Sequence, residues 1–162
     1  MDTLLSHDHT EIDLLLEIAL RKLDARDAGA FRSLDLFWAR LAMHIRAEHH
    51  HLFPAVKRIS EVEKMAYVPE VLDGLRLDHD FFMHELAEII NAMRLMTPDN
   101  DGVTISDAAQ RVQAIKDRLI KHNAIEEEQI YNLGTYFPAQ DGEVLWKSVA
   151  EELANVPPRF SE

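Results

Sequence analysis

Two segments of the chain place a histidine four residues before a glutamate: His44-Ile45-Arg46-Ala47-Glu48 and His122-Asn123-Ala124-Ile125-Glu126. On an α-helix four residues make slightly more than one turn, so each imidazole and its carboxylate share a face and can reach one point in space. Both pairs sit on apolar stripes. The first stripe runs Phe37, Leu41, His44, Glu48, Leu52, and the second runs Val112, Ile115, Leu119, His122, Glu126, Ile130. Ionisable groups at core positions are costly unless they are paired or hold a cation. The pattern therefore predicts a buried metal site.

A second repeat supports the first. Asp8-His9 and Asp78-His79 each open an amphipathic run. His9 shares its stripe with Ile12, Leu16 and Leu23, and His79 shares one with Leu72, Leu75, Phe82, Leu86 and Met93. The chain thus reads as two halves, each giving one histidine from its first helix and a His/Glu pair from its second. His7 competes with His9, but it aligns with Glu11, Leu14 and Ile18, a less uniform stripe. His9 is the better candidate.

The candidate metal ligands are His9, His44, Glu48, His79, His122 and Glu126, a set that suits a dinuclear centre. Imidazole nitrogen with carboxylate oxygen favours iron, manganese or zinc, and the chain has no Cys to select copper(I) or an iron–sulfur cluster. With both glutamates bridging, each ion has two imidazoles and two carboxylate oxygens. Positions stay open for an oxo or hydroxo bridge and a small exogenous ligand. Metal-bound imidazoles commonly donate their other N–H to a carboxylate or carbonyl, a role open to Asp8, Asp78, Glu127 or Glu128. Consecutive helical residues point about 100° apart, so at most one of His49, His50 and His51 can face the centre. His84 is expected at the surface or as an outer partner, and Met83 beside the centre, where it would help to form an apolar pocket for a diatomic ligand.

In order and spacing, Asp8-His9, His44xxxGlu48 running into His49-His50-His51-Leu52-Phe53-Pro54, Asp78-His79, and His122xxxGlu126 running into Glu127-Glu128-Gln129-Ile130-Tyr131 resemble the hemerythrin-like, or HHE cation-binding, domains. The resemblance spans about residues 5–135. It implies an all-α, up-and-down four-helix bundle around a non-haem di-iron centre that binds or senses oxygen or nitric oxide. A di-iron enzyme, such as an oxidase, peroxidase, nitric oxide reductase or iron-centre repair protein, is the alternative it leaves open. The chain departs from the family's oxygen carriers in two places. A fifth histidine one turn after His79 is replaced by Met83, and the final carboxylate, an Asp five residues after the last His in those carriers, meets Glu127 at that spacing and Glu126 one residue earlier. Glu126 reproduces the His44/Glu48 spacing and is preferred.

The elements that must position these residues are helical almost throughout. One domain over 1–162 is expected, with a first helix from about His7 to Arg26 ending near Gly29. A second begins near Ala30 and stops near Pro54 or a turn later. A third runs from Pro69 to Met96 and a fourth, capped by Thr104 or Ser106, to about Asn132. Thr97-Pro98-Asp99-Asn100-Asp101-Gly102 is turn chemistry. A final helix over about 140–155 is expected to dock outside the bundle as a lid or a homodimer contact. The net charge of −12 argues against a nucleic-acid partner. No apolar stretch approaches the ~20 residues that span a bilayer. The opening Met1-Asp2-Thr3-Leu4-Leu5 lacks the basic start of a secretion signal, so a cytoplasmic protein is expected.

Overall fold

The computed structural model describes residues 3–155 and Pro157. Met1 and Asp2 of the amino-terminal segment, and the last residues of the expected 1–162 unit, lie outside them. Helix α1 spans Thr3–Asp24 and α2 spans Ala30–Ala47; α3 spans Phe53–Val62, α4 Val68–Arg94, α5 Asp101–Ile125 and α6 Ala139–Leu153. The four long runs form an up-and-down bundle in which α1 packs on α2 and α5, and α4 packs on α5 and α2.

Two of the long runs change pitch where the His/Glu pairs end. Glu48–Leu52 and Glu126–Ile130 are each one π-helical turn, closed by the N–H of Phe53 on the Glu48 carbonyl and the N–H of Tyr131 on the Glu126 carbonyl. A π-turn inserts one residue into an α-helix and rotates the residues beyond it about the helix axis. The second run consequently does not stop near Pro54. That proline falls in the first turn of α3, where a missing N–H is least costly, and the run continues to Val62.

Other boundaries differ from expectation for local reasons. Helix α1 starts at Thr3 and ends before Gly29, because Arg26 adopts the left-handed conformation (φ 52°) while the Asp27 N–H bonds the Lys22 carbonyl and the Arg26 N–H bonds Leu23. Lys64 (φ 55°) ends α3 in the same way, with the Met65 N–H on the Ser60 carbonyl. Helix α5 begins at Asp101 rather than at a Thr104 or Ser106 cap. The Asn100 side chain folds back to accept the Thr97 N–H at 2.7 Å, and Asp101 puts a negative charge at the helix's positive end. After the second π-turn a 3₁₀ segment, Tyr131–Tyr136, carries the helical run past Asn132 and through Gly134.

The core is two apolar clusters with a polar layer between them. The first holds Ile12, Leu16, Phe37, Leu41, Phe82, Leu86, Ile115 and Leu119. The second holds Leu5, Leu52, Phe53, Leu72, Leu75, Ile130 and Tyr131. Each long run passes from one cluster to the other through its histidine: Leu5 to His9 to Ile12, Leu41 to His44 and Glu48 to Leu52, Leu75 to His79 to Phe82, and Leu119 to His122 and Glu126 to Ile130. Helix α6 closes the end of the bundle: Leu145, Trp146 and Val149 are buried in the second cluster, and the helix packs on α2 and the first π-turn. Among the described residues no helix is long and apolar enough to cross a membrane.

Candidate metal centre

All six sequence-derived candidates are buried at the polar layer, with Glu48 and Glu126 fully inaccessible. Their donor atoms form two groups, each with every atom within 4.8 Å of the others: Glu48, His79, His122 and Glu126 in one, and His9, His44 and Glu126 in the other. Glu126 belongs to both.

The four imidazoles are oriented alike. Each turns Nε2 inward: His9 Nε2 is 3.2 Å and His122 Nε2 3.1 Å from Glu126 Oε1, while His79 Nε2 and His44 Nε2 are 3.3 and 3.5 Å from Glu48 Oε1. Each turns Nδ1 outward to a fixed partner. His44 donates to Asp8 at 2.8 Å, His122 to Asp78 at 3.0 Å and His9 to Glu127 at 3.0 Å. His79 Nδ1 meets His49 Nε2 at 2.7 Å. Such outer partners fix tautomer and ring angle and leave the inward nitrogen free to bind a cation. Arginines anchor two of them, Arg40 on Asp8 and Arg118 on Asp78, at 2.9 and 2.7 Å.

The two halves thus superpose role for role. Asp8, His9, Arg40, His44, Glu48 and Phe53 of the first correspond to Asp78, His79, Arg118, His122, Glu126 and Tyr131 of the second. Phe53 and Tyr131 each come five residues after their glutamate, the spacing a π-turn brings into line. The Phe53 ring lies parallel to His79 with centroids 5.8 Å apart, and Phe82 meets His122 edge-on at 5.3 Å. The Tyr131 hydroxyl instead enters the polar layer, 2.8 Å from Glu48 Oε2 and 3.0 and 3.2 Å from Nε2 of His9 and His44.

The electrostatics suit a cation. Burial works against a charged imidazole at His9 and His122, yet Glu126, helped by Glu48, overrides it and raises both to about 9. Burial also drives Glu48 upward, reinforced by the neighbouring Glu126 charge. Against its own burial, Glu126 is held well below the usual carboxylate range by Glu48, His122 and His9. Burial with both carboxylates beside it pushes the Tyr131 phenol well up. Burial and the adjacent His79 lower His49 to about 4, so it is a neutral acceptor for the His79 N–H. Among the described residues Glu48 Oε1 and Glu126 Oε2 are buried with no hydrogen-bond partner, and His79 Nε2 and His122 Nε2 face each other at 3.1 Å. Buried carboxylate oxygens without a hydrogen-bond partner, beside imidazole nitrogens gathered at contact distance, are a donor set that a cation would satisfy.

Outside this layer the other histidines divide clearly. His7 is exposed beside Glu11, and His84 is exposed beside Glu88, a surface position. Of the three consecutive histidines only His49 turns inward, and His50 reaches Glu152 on α6. Met83 is half-buried against the first apolar cluster, and rings of Phe53, Phe82 and Tyr131 lie against the imidazoles. Tyr131 and Phe53 are the residues an unbroken α-helical period hides.

The family model for the hemerythrin HHE cation-binding domain matches residues 1–134. The chain belongs to that family, a class of helical-bundle, cation-binding proteins. No curated protein and no solved structure matches it.

Proposed function

We propose that the chain is a di-iron binding protein whose centre takes oxygen or nitric oxide at an open position. His79 and His122 would hold one ion and His9 and His44 the other, with Glu48 and Glu126 supplying the carboxylate oxygens and Glu126 within reach of both groups. Zinc or manganese suits the same donors. The observation that supports this most directly is the sharing of Glu126 by both donor groups, next to two buried carboxylate oxygens that accept no hydrogen bond. When bound, iron supplies redox capacity and a Lewis-acidic position for a small ligand.

The chain's own residues do the rest. Asp8, Asp78, Glu127 and His49 hold the imidazoles with Nε2 inward. Phe53, Phe82 and the flanking leucines exclude water on either side of the layer. Tyr131 donates its proton to Glu48 Oε2 and so sets which carboxylate oxygen remains free. That hydroxyl also favours the second reading, turnover at the same centre, because it is a proton donor already aimed at the donor atoms. Anaerobic loading with ferrous iron and then addition of each gas tests the choice. Visible bands that reverse when the gas is removed support binding or sensing, and sustained gas consumption supports the enzyme.

A further inference from the structure

A second group of ligating side chains lies outside the buried layer. His50 and His51, in the first π-turn, and Glu152, near the end of α6, each offer a donor atom, and all three atoms lie within 4.8 Å of one another. His50 Nδ1 is already 2.8 Å from Glu152 Oε1. The two rings stand edge to face at 6.0 Å, so the pair spreads around a point instead of stacking. A hollow of about 520 Å³ opens beside them, bordered by His51, Ser148, Glu151 and Glu152.

We propose that His50, His51 and Glu152 form a second, peripheral site for a divalent transition ion of the zinc type. Two imidazoles and one carboxylate are the three-ligand set with which zinc keeps a fourth, open position, and an all-oxygen ion such as calcium or magnesium does not suit it. The side chains are exposed or half-buried, so small rotations can bring their donors to the roughly 2.0–2.2 Å that zinc requires. Glu151 adds negative charge at the open side, and the hollow admits water or a small ligand at the remaining position. An ion here fastens α6 to the π-turn that carries Glu48 and His49, and so couples the helix closing the bundle to the wall of the buried centre.

Zinc titration of the full chain, wild type against His51→Ala and Glu152→Gln, tests this by counting ions per chain. The difference between wild type and variants reads the peripheral site whatever the buried centre holds. The expected result is one zinc fewer in each variant, or a peripheral affinity weakened by at least the roughly 10–100-fold that loss of even an outer partner costs, with the helical circular dichroism of wild type retained. Equal counts and affinities in all three proteins overturn the site. Loss in His51→Ala alone overturns it too, because that is a surface histidine binding zinc without Glu152.

Discussion

The Tyr131 hydroxyl donates to Glu48 Oε2 across 2.8 Å, joining the π-turn of one half of the bundle to the carboxylate of the other. Its counterpart, Phe53, has no polar side-chain atom and offers only its ring, which stacks on His79. The repeat is therefore symmetric in its imidazoles, carboxylates and outer aspartates, and asymmetric at this pair and at the outer partners Glu127 of His9 and His49 of His79. The His9/His44 side of the layer carries a phenol that the His79/His122 side lacks.

Tyr131→Phe should destabilise the metal-free chain, because Glu48 Oε2 loses its donor in a fully buried site. A buried acceptor left unsatisfied costs about 1–3 kcal/mol. Urea unfolding in the presence of a chelator measures it, and an unchanged midpoint would show that the hydroxyl contributes nothing to holding Glu48.

Asp8→Ala and Asp78→Ala should each weaken metal binding by roughly 10–100-fold, since each frees one imidazole to rotate. Asp8 is lowered in pKa because His44 and Arg40 outweigh its burial, and so it is a charged partner at neutral pH. Competition against a coloured chelator gives the affinities. Wild-type affinity in both variants would show that the aspartates do not orient the ligands.

The metal-free chain should lose stability as pH rises from 6.5 to about 9. His9 and His122 are raised from 6.5 to about 9 in the folded chain, so their stabilising contribution is complete below 6.5 and is lost as pH climbs through the folded value. At the acid end Asp8 and Glu126, both lowered, act with the opposite sign: their contribution is lost as pH falls below the usual carboxylate range. Melting temperatures in chelator across this range should fall toward the alkaline side. A flat or rising curve would contradict the charge assignment.

The bundle and the six candidate donors were legible because each depends on a period. Four apolar stripes interrupted at one level by His or His/Glu define four inward faces, and the structure buries every residue of those stripes. The π-turns were not legible. A one-residue insertion leaves the composition of a helix unchanged, and nothing in His49-His50-His51 or Glu127-Glu128-Gln129 announces it, so Tyr131 and Phe53 stayed hidden at the fifth position after each glutamate. The end of α3 at Lys64 was equally silent, since it enters the left-handed region without the glycine that usually marks it, whereas the end of α1 falls close to the expected Arg26. Helix α6 was anticipated, but its burial of Trp146 and Val149 at the end of the bundle makes it part of the core and not an outer lid.

The central claim is that the buried layer holds metal through the carboxylates that close it. Anaerobic reconstitution with ferrous iron, counting metal per chain in wild type, Glu48→Ala and Glu126→Ala, tests it most directly. The expected result is about two ions per wild-type chain, as for other carboxylate-bridged sites in helical bundles, and the loss of at least one in each variant while the helical circular dichroism remains. No stoichiometric metal in wild type, or the same content in all three proteins, would contradict it and leave the His/Glu pairs as buried hydrogen-bonded devices of the fold.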